Sequence, residues 1–151
     1  MNHYLHPGQL FAADTPYVVT TILGSCVAVC LLDARSPVAG MNHFMLPYWS
    51  LNGSSSSRYG NVAIAQLIER VVALGADRAS LKAKLFGGAC VLGVPSKDGS
   101  HLGEHNVELA RRLLEQEGIP VIAEDVGGTC GRKLVFDTAS GSVFIKRIDR
   151  L

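Results

Sequence analysis

The chain has 151 residues, of which 48% are hydrophobic and 18% charged, and a formal net charge of +1. That length supports a sizeable core in one domain over residues 1–151, and that balance of apolar to charged residues argues against disorder. Both signs of charge are scattered along the chain, so neither a basic nucleic-acid face nor a basic amphipathic membrane segment is predicted.

The opening MNHYLHPGQLFAAD lacks the basic region and continuous apolar core of a signal peptide. No apolar run reaches the roughly 20 residues of a membrane-spanning helix, so a cytosolic location is expected. Cys26, Cys30, Cys90 and Cys130 would stay reduced there, and they lack the CxxC pairing of a structural zinc site. His3 and His6 are expected in a mobile, solvated N-terminus.

Tyr17 to Leu32 is rich in Val, Ile, Leu, Thr and Cys, which predicts one or two buried strands broken at Gly24-Ser25. Asp33 to Pro37 supplies a turn, and Val38 to Leu46 reads as a neighbouring strand ended by Pro47. Trp49 to Tyr59, with its NGSSSS run, is the stretch expected to be most flexible. A helix follows over Asn61 to Leu74, with Ile64, Leu67, Ile68, Val71 and Val72 on its apolar face and Gly75 at its end. Leu81 to Phe86 reads as a strand running into Gly87-Gly88. A second helix over Glu104 to Glu117 buries Val107, Ala110, Leu113 and Leu114. Val121 to Val126 is a further strand. Arg132 to Asp137 and Ser142 to Ile148 flank Ala139-Ser140-Gly141 as a hairpin.

Five or more strands with two main helices predict a layered α/β (α+β-like) domain of β-sheets flanked by helices. The early strands are contiguous, so a Rossmann arrangement is not expected. Neither GxGxxG nor GxxxxGK[ST] occurs, and no nucleotide cofactor is predicted.

Cys26, in TTILGSCVAVCLLD, has two readings. Cysteine packs readily as a small buried hydrophobe, and Cys30 fits that reading better still. As a nucleophile, Cys26 needs to become a thiolate of lowered pKa beside a base. Gly24 and Ser25 let the backbone turn closely enough to lift the side chain toward a cleft and aim amide N–H groups at an oxyanion. His43, in GMNHFMLP, lies on the strand expected beside the first, where it is either a satisfied core residue or the base. His101 and His105 have the i, i+4 spacing of a helical metal pair, but Gly103 between them weakens the helix and further ligands are lacking nearby. No metal is predicted.

These motifs resemble the chemoreceptor glutamine deamidases of bacterial chemotaxis, the CheD family. HPGQLF, TTILGSCVAVCLLD, GMNHFMLP, RYGN, KLFGGA, GEHNVE, GIPVIAEDVGGTCGRK and VFIKRI follow the family's order over almost the whole chain. The resemblance implies a nucleophile at Cys26 in the GSC motif, its base at His43, and an orienting threonine six residues before the cysteine, which is Thr20. Thr21 is adjacent, but strand alternation favours Thr20, because 20 and 26 differ by an even number. It also implies a fold like that of the deamidating bacterial toxins, receptor helices as substrate, and docking onto a CheC-type CheY-phosphate phosphatase. The readings are therefore a cysteine-dependent glutamine deamidase, a binding module that keeps the fold, or a cysteine peptidase or transglutaminase-like acyl transferase. His105 in GEHN and Cys130 in GGTCGR depart from the residues usual there.

Overall fold

The computed structural model describes residues 1–48, 55–90 and 101–149. Residues 49–54, in the stretch expected to be flexible, lie outside the described residues. The strands are β1 (Asn2–Tyr4), β2 (Leu10–Ala13), β3 (Val18–Leu23), β4 (Val27–Asp33), β5 (Ala39–Asn42), β6 (Leu81–Gly87), β7 (Val121–Val126), β8 (Gly131–Asp137) and β9 (Val143–Ile148). Helix α1 spans Gly60–Ala73 and α2 spans Leu102–Gln116.

The strands form two sheets, β1-β3-β8-β9 and β2-β5-β4-β6-β7. The fold is mixed α/β with two sheets and two helices, and it is not a Rossmann arrangement. The predicted break at Gly24-Ser25 separates two strands of different sheets, β3 and β4. The expected pairing of β4 with the next strand is antiparallel, with Cys30 opposite Met41. The C-terminal hairpin forms as predicted, with Gly131 opposite Ile148.

Alternation along β4 sorts its side chains into two cores. Val27, Val29 and Leu31 pack with Ile64 and Leu67 of α1 and Leu114 of α2. Ala28 and Cys30 point the other way, to a second cluster with Val19, Leu23, Leu134 and Phe136 between the sheets. The order of layers is therefore four-stranded sheet, five-stranded sheet, helices. Each large aliphatic side chain fully buried in either core contributes about 1.5–3 kcal/mol.

Two expectations fail locally. The N-terminus is not mobile: β1 pairs in parallel with β3, β2 pairs with β5, and the His3 ring lies 4.8 Å from that of Phe11. Strands this short carry too little periodicity to be read from sequence, and their partners supply the order. Val72 is exposed, because the buried stripe of α1 runs through Ala63, Ile64, Leu67, Ile68 and Val71 and closes on the far side of it.

Candidate active site

The site lies where β4 begins, and strand register assembles it. Cys30 faces Met41, and beyond the regular ladder Val27 faces Phe44 with hydrogen bonds of 3.0 and 2.9 Å in both directions. The same offset thus holds on both sides of an interruption at Val29, whose amide donates to Asn42 Oδ1 at 2.8 Å, and it puts Ala28 opposite His43. Cys26, two residues before Ala28, occupies the same face and the diagonal position to His43. That face looks into the space between the sheets, where Cys26 packs half-buried against the second core.

The threonine that meets His43 is Thr21, not Thr20. Its Oγ1 lies 2.7 Å from His43 Nδ1 and 2.8 Å from the Leu5 carbonyl oxygen. On β3, Val19, Thr21 and Leu23 are buried toward the other sheet, whereas Thr20 and Ile22 alternate onto the opposite face. The parity argument fails because the chain changes sheets between Leu23 and Val27. The turn resets the alternation, so the inward residues are five apart, not six.

This contact fixes the histidine tautomer. A threonine hydroxyl has one proton, and Leu5 O can only accept it. Thr21 must therefore accept from His43, which places the ring proton on Nδ1 and leaves Nε2 with its lone pair. Nε2 is buried and has no hydrogen-bond partner among the described residues. A bare ring nitrogen of this kind is equipped to take a thiol proton.

In the free protein the pair is neutral. Burial pulls the His43 pKa down to about 4. Burial also pushes the Cys26 thiol up, opposed only by its own backbone amide. The lowered thiol pKa expected from sequence is absent because burial dominates, no charged group among the described residues offsets it, and the His43 imidazole stays uncharged. Proton transfer therefore awaits the substrate.

The turn that carries Cys26 is held by its carbonyls. Gly24 O accepts from the Ala89 amide at 3.0 Å, and Cys26 O accepts from the Gly88 amide at 2.9 Å. The Ser25 carbonyl accepts from Asn106 Nδ2 at 3.0 Å, and the same nitrogen donates to Met45 O at 3.1 Å. Gly87 has φ +105°, and a Cβ there would stand 2.2 Å from Cys26 O, so this approach requires glycine. Arg132, only 1% exposed, donates to Asp125 at 3.0 Å, Gly127 O at 2.7 Å and Gly87 O at 3.4 Å, bracing the same turn from the other sheet. Sequence reasoning missed Asn106 and Arg132. The available signal for Asn106 was a polar side chain on the apolar stripe of α2, beside Val107 and Ala110.

The remaining cysteines and histidines lie elsewhere. Cys30 is fully buried in the second core. The Cys90 sulfur lies 2.9 Å from His101 Nδ1, and Cys130 donates to Asp149 at 3.4 Å. His105 is exposed on α2, and His101 precedes the helix instead of sharing its face. Among the described residues no three His, Cys, Asp or Glu side chains are grouped to hold a metal ion. Gly103, expected to weaken the helix, is helical in the first turn of α2, where a Cβ would stand 2.4 Å from Gly88 O.

The model of the CheD family, described as CheD chemotactic sensory transduction, matches residues 45–147. The probable chemoreceptor glutamine deamidase CheD of Sulfurimonas denitrificans is 44% identical over 97% of this chain and 94% of its own. The probable chemoreceptor glutamine deamidase CheD 1 of Anaeromyxobacter dehalogenans is 50% identical over 96% of this chain and 84% of its own. Among solved structures, the hypothetical protein YfiH of Bacillus licheniformis superposes with a TM-score of 0.52 at 15% identity, over 76% of this chain and 49% of that one, a likeness of fold. On near-full-length similarity of this strength, the chain belongs to the CheD family.

Proposed function

We propose that the protein hydrolyses glutamine side-chain amides of chemotaxis receptors, with Cys26 as nucleophile, His43 as base and acid, and Thr21 orienting the imidazole. The observation that carries this reading is the fixed proton of His43: Nδ1–H on Thr21 Oγ1, which leaves Nε2 bare and free to take a proton. The relatives named above supply the substrate class.

The Cys26 proton passes to Nε2 as sulfur attacks the carboxamide carbon, and a tetrahedral oxyanion forms. His43 returns that proton to the departing nitrogen, the C–N bond breaks, ammonia leaves and a thioester remains. A water molecule, deprotonated by Nε2, attacks the thioester; the thiol reclaims the proton and glutamate is released. Imidazolium exists only during these steps. Thr21 steadies it by accepting from Nδ1, as a carboxylate does in other triads but without a full charge. A neutral resting imidazole suits the first step, because a protonated one cannot accept from sulfur.

The test is mass spectrometry of a receptor cytoplasmic fragment incubated with wild type or Cys26→Ala. Deamidation adds about 1 Da at a glutamine with no chain cleavage, a peptidase cuts, and a transferase leaves an amine adduct. An unmodified fragment would overturn the reading. A second reading, a docking module for receptor helices or a CheC-type phosphatase in the cytoplasm, is favoured by the thiol that burial pushes up. It predicts that Cys26→Ala keeps the whole cellular effect.

A further inference from the structure

Asn106 stands on the buried face of α2, with no solvent exposure, and its side chain reaches both halves of the site. Two carbonyl acceptors on one nitrogen fix that nitrogen as the amide end. Ser25 O belongs to the peptide joining Ser25 to Cys26, and Met45 O lies two residues past His43. The other end, Oδ1, is buried without a hydrogen-bond partner among the described residues. A buried orphan acceptor is unfavourable by about 1–3 kcal/mol, so the side chain is poorly explained as a contribution to stability alone.

In a trans peptide the carbonyl and the following N–H point in opposite directions, and no peptide bond here is cis. Holding Ser25 O toward α2 therefore turns the Cys26 N–H away from the helix. No backbone carbonyl among the described residues accepts that N–H. The nucleophile's own amide, with no backbone acceptor among the described residues, is placed to receive the oxygen that becomes negative when the sulfur attacks.

We infer that Asn106 is a positioning residue that aims the Cys26 backbone N–H as an oxyanion donor and locks the nucleophile's turn to the segment following the base. The inference rests on the proposed role of Cys26. It gives Ser25 a part through its carbonyl, and assigns the amide donation to Cys26.

The experiment separates two reactions of one thiol. Alkylation by iodoacetamide displaces iodide at a saturated carbon and develops no oxyanion, whereas deamidation passes through one. Asn106→Ala should lower kcat for receptor-fragment deamidation by about 10²-fold with KM little changed, while Cys26 alkylation stays within about 2-fold of wild type. Asn106→Ser, which retains a donor, should recover part of kcat and is the measured variant if Asn106→Ala does not fold. Equal losses in both reactions, unchanged deamidation, or failure of both variants to fold would overturn the inference. Wild-type protein that alkylates but never deamidates would instead overturn the function proposed above.

Discussion

The two ends of β4 handle polar groups in opposite ways. At its C-terminal end, Asp33 accepts from the Arg35 amide at 3.0 Å, the Asp77 amide at 2.9 Å, Ser36 Oγ at 2.7 Å and Ser80 Oγ. Burial works to raise its pKa, but these bonds outweigh burial and hold the carboxyl well below the usual carboxylate range. At the N-terminal end, His43 Nε2 and Asn106 Oδ1 are buried without partners among the described residues, and burial keeps both His43 and Cys26 uncharged. One strand thus has a saturated end, which adds stability, and an under-satisfied end, whose spare capacity becomes useful only when a reacting group arrives.

Substitutions should separate the ends cleanly. Cys26→Ala should reduce deamidation by about 10⁴-fold or more while shifting the unfolding free energy by less than about 1 kcal/mol, because only a half-buried sulfur is lost. Activity and denaturant titration on the same sample check both numbers, and a large stability loss would erase the contrast. Asp33→Ala should do the converse. Losing a buried, four-fold hydrogen-bonded carboxylate is expected to lower stability by about 3 kcal/mol with kcat unchanged for the folded fraction.

Acid should reach the ends in turn. His43 has its folded pKa near 4, below the unfolded value of 6.5, so the unfolded chain binds the extra proton between them. Stability then falls as pH drops from 6.5 to 4, by about 3 kcal/mol, and levels off below. Asp33 has its folded pKa depressed, so its contribution is full above the unfolded value of 3.8 and declines as pH falls below it. Denaturation midpoints measured against pH in wild type and His43→Ala would show the first phase vanish in the variant and the second persist. Persistence of the first phase would assign it to another group.

The smallest effects concern the threonines. Thr21→Val should lower kcat by about 10–100-fold, because the imidazole loses the acceptor that fixes its tautomer, whereas Thr20→Val should stay within about 2-fold. The reverse order would restore the six-residue spacing and show that β3 rearranges when substrate binds.

Much of the candidate site was legible in the sequence. Cys26 and His43 stand in dense local motifs, LGSC and NHFMLP, and the apolar runs around them predict two adjacent strands of one sheet. The amphipathic stripes of α1 and α2 and the C-terminal hairpin follow from periodicity and turn residues, which act within a dozen positions. The choice between Thr20 and Thr21 did not follow, because alternation counts correctly only while a chain stays in one sheet, and here it crosses between sheets at Gly24-Ser25. Asn106 and Arg132 were equally hidden, since their partners lie far along the chain and meet them only after α2 and β8 have packed. Residue type and spacing determined which groups can react; the crossing of the chain between two layers decided which neighbours set their protons and hold them in place, because those contacts join segments that sequence distance keeps apart.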